Sequence, residues 1–499
     1  MRVPVFVLAT TLATATVTVV APTSANAQVL ECQVEVPIVG DIDSDGQADL
    51  AVGVPNRMDD TGGVDLRLTR ADDRVLTRTI AGLGAGAAGD RFGASVALGD
   101  LEDDGCDEIV TGAPGVSGDA GRVYVVFGAA DTGFESTGAI TLDDSSSGDR
   151  FGAAVALSPN EAGAGFDLWV GAPFDDVDGV SNAGSVTHYA VTASGGEATV
   201  GPPIETLTQN SAGVPGVAEA GDHFGAVLSA TRLGVFVGQP DEAIGTQAEA
   251  GSMTLLQTSD DDVEVDGAFS WSQDSPGVAG DAEAGDRFGA AVNALSFFAV
   301  VGVPGEDLGT RRNAGLAQTF LPETIVTVEP GHGVTQDAPG IPGDAEAGDR
   351  FGAAAVMGNN LTCFDDAVDA AVGAPGEDLR VGGSTRTNAG TVIAFNIRAN
   401  EDCTARSINQ NTSLGGAPED GDQLGSTLSL RRRPDDQDDI SDRPFVGVPG
   451  EDYDGTTDAG LVQVTPPPLG NDVGAGSGFS NGPRADLRYG TVIGSPAEG

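Results

Sequence analysis

Apolar residues along this chain come in short runs broken by glycine, proline and acidic turns, and no stretch sustains a helical period. One region shows the pattern clearly: Phe288–Leu295, Phe297–Val303, Gly315–Leu321 and Thr324–Val328 are four apolar runs with turn residues between them. Runs of this length, bounded by turn signals, predict four short β-strands.

The same layout recurs. Gly-Asp-Arg-Phe-Gly stands at Gly89–Gly93, Gly148–Gly152, Gly285–Gly289 and Gly348–Gly352, with variants at Gly221–Gly225 (His223) and Gly421–Gly425 (Gln423, Leu424). An apolar-Gly-x-Pro string follows at Val52–Pro55, Thr111–Pro114, Val170–Pro173, Val237–Pro240, Val301–Pro304, Val372–Pro375 and Val446–Pro449. Successive prolines are 59, 59, 67, 64, 71 and 74 residues apart. A third string, Asn/Asp/Glu-Ala-Gly, begins at Asp119, Asn182, Glu249, Asn313, Asn388 and Asp458. Four strands per unit, repeated seven times, predict an all-β chain folded as a seven-bladed β-propeller with four-stranded antiparallel blades. A blade cannot bury both faces alone, so neighbours cover each other, each repeated Phe plugging between sheets and its glycine allowing close approach. Stacked sandwiches are the competing arrangement. The expected repeats cover residues 34–70, 89–142, 148–206, 221–270, 285–330, 348–408 and 421–470, with a partial copy at 472–499.

Phe-Gly followed by Gly-Ala-Pro, with acidic loops between, resembles the FG-GAP repeat of the integrin α-subunit β-propeller and its bacterial secreted relatives. The resemblance runs from about residue 36 to the C-terminus. It implies a propeller, calcium loops in some blades and a role in binding or adhesion.

Two units carry a metal signature. Asp41-Ile-Asp43-Ser-Asp45-Gly46-Gln47-Ala-Asp49 places acids at loop positions one, three, five and nine, and Asp100-Leu-Glu102-Asp-Asp104-Gly105-Cys106-Asp-Glu108 repeats the layout. Alternate residues of a tight loop converge, the carbonyl of Gln47 or Cys106 adds an oxygen, and glycine at position six permits the turn; hard oxygen donors in a flexible ring suit Ca2+ better than Mg2+. Val52 and Thr111 occupy position twelve, so neither loop is an EF-hand. The spacing matches the family's strand-loop-strand calcium site, with Glu102 and Glu108 where shorter acids are usual. Two Ca2+ sites are expected; units three to seven lack the signature, unit six keeping Asp365, Asp366 and Asp369 at other spacing.

Charge narrows the partners. Of 499 residues, 75 are acidic and 24 basic, all arginine, for a formal charge of −51. This excludes nucleic acid bound through a basic face and docking on an anionic membrane, and favours a monomer with cationic or divalent-bridged partners. Arg2, the apolar run Val3–Val20 and Ala25-Asn26-Ala27 predict a signal peptide over residues 1–27, a propeller over 28–499 and a secreted, extracellular protein with no later membrane span. Cys32, Cys106, Cys363 and Cys403 fit two disulfides in an oxidising compartment; of three pairings, Cys32–Cys106 and Cys363–Cys403 are the most local.

Three histidines and no nucleophile elbow, phosphate loop or metalloprotease helix favour a binding module for an unidentified protein or glycan over an enzyme. The alternative is an extracellular glycan lyase or hydrolase using loop carboxylates. Asn360-Leu-Thr362 and Asn411-Thr-Ser413 match the glycan acceptor pattern, and we expect them to be unused. Later units share another acidic pattern: Gln273–Asp286 recurs at Gln336–Asp349 and more loosely at Gln209–Asp222 and Gln410–Asp422, and Pro-Gly-Glu-Asp recurs at Pro304, Pro375 and Pro449. These read either as interblade turns, with Asp286 pairing an Arg287-type neighbour, or as weaker cation or ligand sites. Unit one lacks a Phe-Gly start, its first strand would be Val34–Val39, and the tail with Gly478-Phe479 and Ile493–Pro496 either completes a seventh blade or begins an eighth. Sealing the ring with both chain ends leaves no unpaired edge, which favours seven.

Overall fold

A computed structural model describes residue 32 and residues 39–497, less the segments 70–74, 82–85, 131, 136–137, 144–145, 161–164, 195, 259–264, 323–327, 363–367, 399–402, 432–441, 454, 465–472 and 475–487. Seven sheets form the blades of a β-propeller, six of four strands and one, blade two, of five. The inner strands of blades two to seven are Ser95–Gly99, Ala154–Pro159, Val227–Thr231, Ala291–Leu295, Ala354–Asn359 and Leu428–Arg431. They line a central cavity of about 170 Å³. Among the described residues no helix exceeds four residues.

The first blade takes its inner strand from the other end of the chain. Val492–Ile493 pairs antiparallel with Val52–Gly53, and Ser495–Pro496 then runs parallel to Ala97–Leu98 of blade two. Ser429 Oγ of blade seven donates to the Gly494 carbonyl at 2.6 Å. The ring therefore closes by completing blade one, not blade seven. The missing Phe-Gly of unit one is Tyr489-Gly490: Tyr489 is 1% exposed and bridges Gly460 as each Phe bridges the glycine just ahead of the preceding blade's third strand. Of the expected first strand Val34–Val39, all but Val39 lies outside the described residues, and Val39 is in a turn; Gly478-Phe479 lies outside them as well.

The repeated strings have a common physical cause. A Cβ added to the glycine of any Gly-x-Pro string (Gly53, Gly112, Gly171, Gly238, Gly302, Gly373 or Gly447) would lie 1.8–2.2 Å from the carbonyl oxygen of the next blade's Phe-Gly glycine. Blade packing there is backbone on backbone, and only glycine fits. The adjoining Phe92, Phe151, Phe224, Phe288 and Phe351 are buried, with Leu424 and Tyr489 in the same role. Phe92 packs with Leu66 of blade one and Ile109 of blade two, so the ring does plug between sheets.

Outer strands depart most from expectation. In blade five the fourth strand is Val328–Val334 rather than Thr324–Val328; residues 324–327 lie outside the described set. Its sequence, Val-Glu-Pro-Gly-His-Gly-Val, faces solvent along most of its length, so no alternation of apolar residues marks it. A register shift between Gln318 and Phe320 accommodates Pro330 at this edge.

Candidate metal centre

The first loop folds back on its leading aspartate. Asp41 Oδ1 and Oδ2 accept the N–H groups of Asp45 (3.1 Å) and Gly46 (2.8 Å). Gly46 adopts φ +83°, the left-handed turn for which position six needs glycine. Asp45 Oδ1 accepts the Gln47 N–H at 3.0 Å. Asp49, at position nine, braces the loop from below, its two oxygens accepting the N–H groups of Ile42 (2.9 Å) and Thr69 (2.7 Å). Carboxylate oxygens of Asp41, Asp43 and Asp45 lie within 4.8 Å of one another.

The second loop repeats this framework. Asp100 accepts from Asp104 (3.0 Å) and Gly105 (2.9 Å), Asp104 Oδ1 accepts from Cys106 (2.9 Å), and Glu108 Oε2 accepts from Leu101 (2.6 Å). It differs at position three, where Glu102 Oε1 reaches across to the Ala198 N–H of blade three at 3.1 Å. Asp100, Glu102 and Asp104 do not form a cluster as tight as that of the first loop. The longer side chain of glutamate explains the difference.

Electrostatics favour a cation in both loops. Burial, reinforced by the charges of Asp45 and Asp43, raises the Asp41 carboxyl to about 7. Burial and then the charges of Asp43 and Asp41 raise Asp49 well above the carboxylate range. Asp100, Glu102 and Asp104 are raised by burial, and Glu108 well above its usual value for the same reason. Burial and crowding of this kind make each carboxylate harder to ionise, and a cation beside them offsets that cost. The donor set of Asp41, Asp43, Asp45 and Asp49, with the Gln47 carbonyl, is all oxygen and fits a hard cation of flexible coordination. Asp100, Glu102, Asp104, Glu108 and the Cys106 carbonyl are its counterparts in the second loop.

Two other blades keep part of the frame. Position nine falls six residues before the Gly-x-Pro proline, which places Asp167 and Asp369 there in units three and six. Asp369 Oδ2 accepts the Thr362 N–H at 2.7 Å, as Asp49 and Glu108 do in their loops, but Leu361 stands where Asp41 and Asp100 stand. In blade three Asp167 Oδ1 meets His188 Nε2 at 2.9 Å, with the imidazole stacked on Trp169. Asp369, expected at other spacing, thus does hold position nine, whereas Asp167 was hidden because the ligand pattern around it is lost.

The acidic motifs of later units are interblade turns. Gln209, Gln273, Gln336 and Gln410 each donate Nε2 to the glutamate of the next blade (Glu242, Glu306, Glu377, Glu451) at 2.5–2.7 Å. Asp286 does not pair with an arginine: its Oδ2 accepts the Glu283 N–H of its own turn at 2.6 Å, while Arg287 reaches Asp241 of the preceding blade at 2.9 Å. A short turn presents its own amide closer than any guanidinium. Burial raises Glu242, Glu306 and Glu377 to about 7.

Cys32 and Cys106 form a disulfide, and Cys403 is disulfide-bonded too; its expected partner Cys363 lies outside the described residues. Within Asn360-Leu-Thr362, Asn360 and Thr362 are buried and Thr362 Oγ1 donates to Asp369, so this acceptor is closed to glycan in the folded chain.

Residues 92–126 match the FG-GAP repeat. The chain is also 31% identical over 152 residues to integrin alpha-PS2 of Drosophila melanogaster, a match covering 28% of this chain and 10% of that integrin. The seven blades and their repeated Phe-Gly contacts make the chain a β-propeller that carries a stretch matching the FG-GAP repeat and is similar over part of its length to an integrin α-chain. The matched stretch thus spans about a tenth of the relative's length.

Proposed function

We propose that this protein is an exported, calcium-stabilised binding module that attaches to a protein or glycan outside the cell, and that it is not an enzyme. The observation that carries the reading is the convergence of Asp41, Asp43 and Asp45, buried or half-buried carboxylates on a rigid ring. Divalent ions in the two loops stiffen the first two blades, and ligand recognition falls to the surface loops that the ring holds in place. The disulfides fit an oxidising compartment, and no helix among the described residues is long and apolar enough to cross a membrane. The likeness to an integrin α-chain supports an extracellular, adhesive role. Arrays of matrix proteins and glycans, probed with the intact protein in calcium and in EDTA, test it. Calcium-dependent retention on a defined ligand is expected. Turnover of a polysaccharide panel, with no stable retention, would replace this reading with the glycan-active one.

A further inference from the structure

The two loops are joined through one residue. Gly40, just ahead of position one in the first loop, donates its N–H to Asp107 Oδ2 at 2.6 Å. Asp107, position eight of the second loop, donates its own N–H to the Asp41 carbonyl at 2.8 Å. A side chain and a backbone amide of one loop thus grip both sides of the peptide that leads into the first ligand of the other. Gly40 in turn accepts the Asp49 N–H at 2.7 Å, which closes the first loop. Gly128 lies beneath both: a Cβ there would meet the Asp107 carbonyl at 2.6 Å, Cys106 Cβ at 2.9 Å and the Ile42 carbonyl at 3.0 Å. The Cys32–Cys106 disulfide anchors position seven, immediately before Asp107. Asp107 is buried, 4% exposed, and belongs to neither predicted ligand set.

We infer that the two loops form one cooperative two-ion module in which Asp107 is the positioning residue that couples them. This rests on the calcium reading above. An ion in the second loop orders Asp104–Cys106 and with them Asp107; Asp107 then holds Gly40 and Asp41 where the first loop must close. The ordering required of the second binding event has been met by the first, so affinity rises, and linkage makes the effect reciprocal. Repulsion between the two ions opposes this, and the ordering passed through Asp107 and Gly40 must exceed it.

Calcium titration calorimetry on the intact, oxidised protein tests the inference. Asp100→Asn with Asp104→Asn disables the second loop, and loop-one affinity should then fall by at least about fivefold. Asp45→Asn in the first loop should weaken the second loop by the same factor. Asp107→Leu should abolish this mutual dependence, whereas Asp107→Asn, which keeps an acceptor for the Gly40 N–H, should retain it. If Asp107→Leu does not fold, the two loop-disabled proteins and Asp107→Asn still decide the matter. Unchanged loop-one affinity when loop two is disabled overturns the coupling but leaves the calcium reading standing. No calcium binding by the unaltered protein overturns both.

Discussion

Gly302→Ala probes the contact that the repeat exists to make. The new Cβ would lie 1.9 Å from the Gly352 carbonyl oxygen, 2.8 Å from its carbon and 3.1 Å from its Cα. All three obstacles are backbone, so no side chain can swing aside. Restoring ordinary contact moves one blade by more than about 1 Å against its neighbour, where the interior is already close-packed. Overpacking costs about 1–3 kcal/mol when side chains can adjust, and here we expect the top of that range or more. Gly267→Ala is the control: its Cβ has nothing nearer than Gln257 Oε1 at 3.6 Å, and an alanine accepted without strain stabilises by about 0.4–1 kcal/mol through the unfolded chain. Urea unfolding followed by tryptophan fluorescence measures both. Equal midpoints for the two variants would refute the backbone-on-backbone account of blade packing.

Tyr489→Ala should cost about 3–5 kcal/mol, as for other buried aromatic residues, because Tyr489 is 1% exposed and packs with Val52 of blade one and Val462 of blade seven; a surface-like change under about 0.5 kcal/mol, read from the same unfolding curve, would contradict ring closure through the C-terminal strand. Glu242, Glu306 and Glu377, raised by burial from 4.5 to about 7, favour folding when protonated. Their contribution is complete below about pH 4.5 and is lost as pH rises through about 7. In EDTA the melting temperature should therefore fall between pH 5 and pH 8, and Glu306→Gln should flatten that slope; a slope the variant leaves unchanged would contradict the assignment. Replacing Cys32 and Cys106 by serine releases a closure spanning 74 residues, for which the chain-entropy model gives about 4–5 kcal/mol. A reduced melting temperature in the double variant checks it.

What the sequence disclosed follows from where glycine and phenylalanine are indispensable. A Cβ on Gly302 would meet backbone at 1.9 Å and one on Gly352 at 2.4 Å, so no other residue serves and the strings repeat nearly unchanged. The calcium loops were legible for the same kind of reason: Gly46 and Gly105 must take positive φ, and alternate carboxylates must face inward. Tyr489-Gly490 escaped notice because a phenol fills the Phe pocket and the copy is displaced to the far end of the chain. Outer strands such as Val328–Val334 carry no alternating pattern since solvent meets both faces. Asp107 escaped because its task is to hydrogen-bond Gly40 in another blade, a contact across 67 residues that no local spacing announces.

Thermal unfolding of the intact, oxidised protein in calcium and in EDTA, beside the variant carrying Asp45→Asn and Asp104→Asn, addresses the central claim most directly. Metal bound only by the native state adds about 2.7 kcal/mol per site at a hundredfold excess over Kd. The account predicts a clearly higher Tm in calcium for the unaltered protein and little difference for the variant. Coincident melting curves in calcium and EDTA for the unaltered protein would contradict it.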